Sequence, residues 1–301
     1  MTVAIDTAAP AAPTVRAATA RRRSVPTGER ITGGISQAVL IACAVVVVLP
    51  FLWTIMSSFK TSRQVLQSPF TLPDTLHFEN YANAWTQAGI GTFFVNTLLV
   101  VGGALVLTMV MGSMCAYFLA RFRFIGNKAI YLLMVAGLTF PIFLAIVPLF
   151  FILKGLGLLG TLPGLAITYS AFALPFTVFF MVPFFRALPS SVTEAAAIDG
   201  AGEWRTFFQV MVPMARPAIA TLSILNFVGL WNQFLLPVAL NPDQRKYVLT
   251  QGMAAFAGTA GYSIDFGALF AAVVMTIVPV LIVYLVFQRA LSGSVVIGAD
   301  K

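Results

Sequence analysis

Long apolar runs separated by short polar stretches dominate this chain. Six runs approach or exceed the roughly 20 residues that a helix needs to cross the hydrocarbon layer of a membrane. We predict membrane helices at 36–56, 93–119, 129–153, 162–184, 218–240 and 266–287. None of these runs contains Asp, Glu, Lys or Arg. The pattern therefore predicts an all-α integral membrane protein with six transmembrane helices.

One polar segment, residues 189–217, keeps a helical pattern between the fourth and fifth predicted spans. Ser191 is followed three residues later by Glu194, the spacing of a capping box, which predicts a helix beginning near Val192. Gly200 suits the left-handed conformation that ends many helices. The segment is therefore expected to start with a short helix that closes at this glycine.

A second short helix is predicted after the glycine. Trp204, Phe207, Phe208 and Met211 fall at i, i+3, i+4 and i+7 and form one apolar stripe, while polar residues occupy the other side. Such a helix is expected to lie against a surface. The whole segment is interpreted as a pair of helices around a Gly-Ala-Gly bend.

Composition and charge support the membrane assignment. Of the 301 residues, 59% are hydrophobic and only 9% are charged, far from the norm for soluble domains. The net charge of +8 does not indicate a nucleic-acid partner, because the basic residues flank the apolar runs. Cys43 and Cys115 lie inside those runs, and so no disulfide framework or metal site is expected.

The distribution of Lys and Arg predicts the orientation. With the N-terminus in the cytoplasm, most of the 18 basic residues fall on the inner side. The exceptions are Lys60, Arg63, Lys154, Arg245 and Lys246. We therefore expect a multi-pass protein of the plasma (inner) membrane with both termini cytoplasmic. Segment 189–217 then also lies in the cytoplasm.

The polar segment resembles the EAA loop of permease subunits of ATP-binding-cassette importers. The resemblance is carried by Glu194-Ala195-Ala196, Asp199-Gly200-Ala201, Pro213 and Pro217. It implies that the helix pair docks into a groove on an ATPase subunit, with the glycine at the bend. The alternative is an amphipathic helix resting on the membrane surface, which explains the stripe but not the ordered motif.

Further motifs resemble carbohydrate-importer permeases related to the second maltose permease subunit. They include Asn96-Thr97, Ala116-Tyr117-Phe118-Leu119-Ala120-Arg121-Phe122, Pro148-Leu149-Phe150 and Trp231-Asn232-Gln233-Phe234-Leu235-Leu236-Pro237. The resemblance covers residues 49–293. It implies a second homologous permease subunit, two cytoplasmic ATPase subunits and an extracytoplasmic solute-binding protein as partners. ATP and Mg belong to the ATPases, and this chain is expected to bind no cofactor.

The resemblance also suggests a domain organisation. Residues 1–34 are expected to form a flexible basic cytoplasmic tail, without the features of a cleavable signal peptide. Residues 35–290 form the predicted six-span permease domain, and 291–301 a short cytoplasmic tail. The chain departs from the family at its long first tail and at Gln288-Arg289-Ala290, which replaces a glycine-containing ending.

Transferred residue by residue, the resemblance assigns a set of ATPase-coupling residues. They are Glu194, Ala195, Ala196, Asp199, Gly200, Ala201, Glu203, Trp204 and Phe207. Trp204 and Phe207 are expected to supply buried contacts, the acidic side chains polar or capping contacts, and Gly200 the bend. Closure of the ATPases would then move the spans between inward-facing and outward-facing states.

A candidate sugar path lies in the fifth predicted span. Trp231 beside Asn232 offers an aromatic face and an amide, both suited to a sugar. Asn226 and Gln233 are seven residues apart and share a helix face. We hypothesise that these four residues line the path. Alternatively, they bond neighbouring helices, as Asn and Gln commonly do in membranes.

Missing motifs restrict the function. The sequence has no Gly-x-x-x-x-Gly-Lys-Ser/Thr and no arrangement of nucleophile and base, which predicts a non-catalytic subunit. Spans without charged residues disfavour a proton-driven carrier and an anionic solute, leaving a neutral polar one. A same-fold importer for a polyol or glycerol phosphate, and a membrane scaffold without an ATPase, remain alternatives. Loop 241–265 either receives the binding protein or is simply solvated.

Overall fold

The computed structural model describes residues 27–258 and 265–295, and its regular elements are all helices in that part of the chain. These confirm the predicted all-α class. The helices are α1 (Thr27–Ser57), α2 (Ser62–Gln67), α3 (Glu79–Thr86), α4 (Ile90–Arg121), α5 (Asn127–Thr139), α6 (Ile142–Gly155), α7 (Leu162–Ala187), α8 (Ser190–Ile198), α9 (Glu203–Met214), α10 (Arg216–Trp231), α11 (Leu235–Leu240), α12 (Leu249–Gly258) and α13 (Phe266–Val295).

The chain forms two compact units, residues 1–51 and 52–301. In the first unit, α1 begins at Thr27, inside the predicted tail, and its residues from Gly34 to Phe51 are exposed. At the other end of the chain, α13 runs to Val295 and so takes in part of the predicted final tail. The predictions for 1–26 and 296–301 fall outside the described residues.

Among the described residues, four single helices are long and apolar enough to cross a membrane: Gly34–Ser57, Ile90–Arg121, Leu162–Ala187 and Phe266–Gln288. The number rises to six if each of two bent helix pairs is one span. These pairs are Asn127–Thr139 with Ile142–Gly155, bent by 108°, and Glu203–Met214 with Arg216–Trp231, bent by 76°.

The third predicted span is broken. It was expected to be continuous over 129–153, but α5 ends at Thr139 and α6 begins at Ile142. Pro141 has no backbone N–H and forces the preceding residue toward extended backbone, and Phe140 indeed has ψ 120°. The two helices are therefore separate and meet at an angle of 108°.

The fifth predicted span, 218–240, is also interrupted. Helix α10 ends at Trp231 after 16 residues, about 24 Å, which is shorter than the roughly 30 Å hydrocarbon layer. After the break, the backbone carbonyl of Gln233 accepts hydrogen bonds from Tyr169 OH at 3.4 Å and from Thr250 Oγ1 at 2.7 Å. Unwound backbone inside the bundle is therefore stabilised by neighbouring helices.

The core of the second unit forms where α4, α7 and α10 meet. Gly112 lets α4 approach α7 closely, because a Cβ at this position would lie 2.7 Å from Thr177 Cγ2. Thr177 Oγ1 in turn accepts a hydrogen bond from Asn226 Nδ2 at 2.9 Å. Small residues and one buried amide thus hold three helices together, as is common in membrane bundles.

A buried lysine organises the loop after α1. Lys60 is fully buried, and its Nζ donates to the carbonyls of Ser68 and Pro69 at 3.1 and 2.9 Å. Asn80 Nδ2 donates to the carbonyls of Ser58 and Lys60, both at 2.9 Å. Burial lowers the pKa of Lys60. This cation, which the sequence analysis counted only for the orientation of the chain, is therefore part of the loop's structure.

Gly112→Ala is expected to destabilise the bundle by about 1–3 kcal/mol, because the new methyl group overlaps Thr177 and disturbs its bond to Asn226. Gly102→Ala on the same helix is the matched control, since a Cβ there meets nothing within 4 Å. Thermal unfolding in detergent measures both. Equal melting temperatures for the two variants would contradict the close approach of α4 and α7.

Candidate coupling segment and membrane cavity

Helix α8 begins earlier than predicted. Its first residue is Ser190, after Pro189 in an extended conformation at the N-cap, and no side chain caps the helix. The capping box of Ser191 and Glu194 is therefore wrong: Ser191 already lies in the first turn, where its hydroxyl is misplaced for capping. Thr193 Oγ1 instead donates to Ser190 O at 2.7 Å.

The end of α8 is as predicted. Gly200 has φ +76°, a left-handed conformation that side chains rarely adopt. Its amide donates to Ala197 O at 3.1 Å, and the amide of Ala201 donates to Ala196 O at 2.9 Å. This pair of bonds is the Schellman arrangement. The bend between α8 and α9 is thus fixed by backbone hydrogen bonds as well as by the glycine.

The apolar stripe of α9 divides into two rows. The helix is α-helical over Glu203–Thr206, π-helical over Phe207–Met211 and α-helical again over Val212–Met214. Trp204 and Phe208 are exposed, and their rings stack with centroids 6.3 Å apart, whereas Phe207 and Met211 are buried. The single stripe expected from an α-helical period is corrected accordingly.

The inner row anchors the segment to the membrane helices. Phe207 is only 4% exposed and Met211 is fully buried. The ring of Phe207 lies 5.1 Å from that of Tyr117 in α4, which lies 5.8 Å from Phe185 in α7. Phe207 was expected to contact a partner. It is instead enclosed by the chain's own helices, and so it cannot supply a surface contact.

The outer row forms an exposed apolar patch with the end of α8. We name Ile198, Trp204 and Phe208, which are 86%, 59% and 52% exposed, the coupling face. The sequence reasoning missed Ile198, although a β-branched side chain directly before Asp-Gly was a usable signal. The predicted acidic residues, Glu194, Asp199 and Glu203, are also exposed, as is Ala195, whereas Ala196 is buried and Ala201 half-buried.

A cavity of about 290 Å³ lies between α6, α7 and α10. It is lined by Ile142, Tyr169, Phe172, Ala173, Phe176, Leu225, Asn226, Gly229, Leu230 and Gln233. Two predicted path residues, Asn226 and Gln233, are thus brought together. No charged side chain lines this cavity.

Trp231 and Asn232 lie away from the cavity lining. Trp231 is buried, its Nε1 donates to Thr276 O at 3.2 Å, and its ring lies 5.8 Å from Phe94. Asn232 is exposed, and its Nδ2 donates to Val228 O at 2.8 Å, at the end of its own helix. Trp231 thus bonds a neighbouring helix, which is the alternative that the sequence left open, whereas Asn232 bonds its own helix.

Aromatic residues of α7 line the cavity and were missed from the sequence. Tyr169, Phe172 and Phe176 follow i, i+3 and i+7, a spacing that could have revealed one helix face. Polar capacity remains beside them. In the described part of the chain, neither Asn226 Oδ1 nor the side-chain amide of Gln233 has a hydrogen-bond partner. Aromatic faces and free amide groups together suit a sugar.

Ionisable groups outside the spans do not form a reactive site. Hydrogen bonds from Arg245 hold the pKa of the Asp243 carboxyl below its usual range. Within residues 27–258 and 265–295, no group of three or more His, Cys, Asp or Glu side chains is placed to hold a metal ion. The coupling segment and the cavity are the two candidate functional features.

The sequence matches the family described as "Binding-protein-dependent transport system inner membrane component" over residues 108–296. This region contains the coupling segment and the whole cavity lining. The match links both features to one kind of membrane protein.

Individual relatives are also named as permease proteins. The chain is 62% identical to the diacetylchitobiose uptake system permease protein NgcG of Streptomyces coelicolor, over 93% of this chain and 92% of that protein. It is 31% identical to the melibiose/raffinose/stachyose import permease protein MelC of Bacillus subtilis, over 88% and 94%.

A solved structure has the same fold. One chain of a bacterial ABC transporter involved in the import of the acidic polysaccharide alginate matches with a TM-score of 0.79 and 25% identity, over 88% of this chain and 98% of that chain. With the family match and the two relatives, this establishes the classification. The chain belongs to the family of binding-protein-dependent transport system inner membrane components.

Proposed function

We propose that this chain is the non-catalytic permease subunit of an ATP-driven importer and forms half of the membrane pathway for a neutral sugar or oligosaccharide. The observation that carries the proposal is an exposed apolar coupling face on a segment whose inner row packs against α4 and α7. Helix α7 also lines the aromatic, amide-bearing cavity. Identity of 62% to a diacetylchitobiose permease makes that disaccharide the first candidate solute.

The proposed assembly contains four further protein subunits and lies in the lipid bilayer. A second homologous permease completes the pathway, two cytoplasmic ATPases hold ATP and Mg, an extracytoplasmic solute-binding protein delivers the sugar, and the lipid bilayer surrounds the spans. Both termini are cytoplasmic in this arrangement. The charge distribution along the sequence supports this orientation, because it places most basic residues on the side of the coupling segment.

Coupling follows from the two rows of α9. Ile198, Trp204 and Phe208 would enter a groove on the ATPase, where burial of large apolar side chains stabilises the contact. The exposed Glu194, Asp199 and Glu203 would make polar contacts around it. This docking explains why such large apolar groups remain uncovered in the isolated chain.

Transmission to the spans depends on the inner row. Phe207 and Met211 lie in the same buried cluster as Tyr117 and Phe185, which belong to α4 and α7. Close-packed side chains move as a unit and do not deform continuously. A shift of the coupling segment is therefore passed on as a rigid-body motion of these helices, one of the established forms of conformational switching.

The cavity is the proposed part of the sugar path. Rings of Phe172 and Phe176 would stack on the apolar face of a sugar, while Asn226 Oδ1 and the Gln233 amide would bond its hydroxyl or acetamido groups. An acidic sugar or a glycerol phosphate would need a cation to compensate its charge. The lining offers none, which favours a neutral solute over these alternatives.

Gly200→Asp is expected to abolish sugar uptake while leaving the spans inserted. An aspartate at φ +76° is strained, and the distorted bend would misplace Ile198 relative to Trp204. Gly202→Asp is the matched control, because it adds the same charge at an N-cap with φ −69°, where Asp is favoured. Uptake of labelled diacetylchitobiose and sugar-stimulated ATP hydrolysis measure the effect. Normal uptake with Gly200→Asp would defeat the proposed coupling.

Gln233→Ala is expected to slow sugar uptake about three- to tenfold, the effect of losing one hydrogen bond to the solute. Asn232→Ala removes the same kind of side chain next to it but outside the cavity, and so uptake should stay near wild type. Rates are compared in membrane vesicles at equal amounts of assembled complex. A larger loss in Asn232→Ala than in Gln233→Ala would place the sugar path elsewhere.

A further inference from the structure

A second, larger cavity lies where α4 ends and α5 begins, and it shares no lining residue with the sugar cavity or the coupling face. Its volume is about 820 Å³, and its lining combines three cations with apolar side chains. The cations are Arg123, Lys128 and Arg186, and the apolar residues include Phe122 and Leu132. Nothing in the proposed transport mechanism uses this cavity.

The three cations are not compensated by acidic side chains. No Asp or Glu lines the cavity, and among the described residues none of the three takes part in an ion pair. Arg186 lies over the ring of Tyr131, 5.8 Å from its centroid, which orients the guanidinium without neutralising it. Three like charges facing one space raise the electrostatic potential there and favour an anion.

Backbone donors add to this positive potential. Helix α5 has 13 residues and starts after Gly126, which has φ +96° and provides no side-chain cap. Asn127 turns its Nδ2 back to the carbonyls of Leu119 and Phe122. In the described structure, the next two amides, of Lys128 and Ala129, have no acceptor. Free amides at a helix start suit a phosphate group.

We propose that this cavity binds the phosphate of an anionic phospholipid headgroup. The shared chemistry, a phosphate anion, could also come from free phosphate, but the surroundings favour a lipid. Leu132 lines the cavity and is exposed, and Leu133 and the fully exposed Ile125 continue the apolar surface beside it. Acyl chains can therefore lie along α5 while the headgroup occupies the cationic cavity. Basic residues that served only to orient the chain in the membrane would not need to line one cavity.

The test measures lipid binding to the full chain by native mass spectrometry in detergent. Phosphatidylglycerol and phosphatidylcholine with the same acyl chains are titrated separately, and wild type should prefer phosphatidylglycerol. The double variant Arg123→Gln/Lys128→Gln should bind phosphatidylglycerol at least about tenfold more weakly, because two charge-assisted contacts are lost. Arg63→Gln/Lys154→Gln, which removes two exposed cations outside the cavity, should bind it like wild type.

Two further measurements distinguish lipid binding from unfolding of the variants and from binding of free phosphate. The charge-conserving variant Arg123→Lys/Lys128→Arg should keep the preference, and equal melting temperatures of all variants exclude unfolding as the cause of a loss. Inorganic phosphate at millimolar concentration should not displace the lipid. Equal binding of both lipids, unchanged binding by Arg123→Gln/Lys128→Gln, or displacement by inorganic phosphate alone would each overturn the proposal.

Discussion

The anchoring of Phe207 and Met211 between α4 and α7 is the contact on which the rest of the account depends. If this row were exposed, the coupling segment could move without moving the spans. Within α9, which is π-helical over Phe207–Met211, this row is buried while Trp204 and Phe208 remain exposed. A single short helix thus joins an exposed apolar surface to the bundle core.

Two broken helices border the cavity between α6, α7 and α10. Pro141 separates α5 from α6, and α10 stops at Trp231, so that the backbone near Gln233 is held by Tyr169 and Thr250. Non-helical backbone at membrane depth is tolerated where neighbouring helices or a cavity satisfy its polar groups. Both interruptions border the same cavity, which places side-chain amides and aromatic rings side by side.

Apolar run lengths and the ordered motif around Glu194 were sufficient to predict the fold class, the family and the bend at Gly200. They could not predict which side of α9 faces inward, because a π turn changes the period that sequence reasoning assumes. The third and fifth spans were predicted to be longer than the observed helices. One helix ends early at Phe140, before a proline, and the other at Trp231. Trp231 and Gln233 are near neighbours, yet only the tertiary contacts show that one packs against Thr276 while the other lines the cavity.

The most direct test of the central claim is site-specific photo-crosslinking in membranes that contain the whole transport system. A benzophenone amino acid replaces Trp204 on the coupling face or, as a control, the exposed Leu133 on α5, and crosslinked partners are identified by mass spectrometry. We predict a covalent adduct with an ATPase subunit from position 204 and none from position 133. Adducts with lipid alone from position 204 would contradict the account and favour an amphipathic helix lying on the membrane surface.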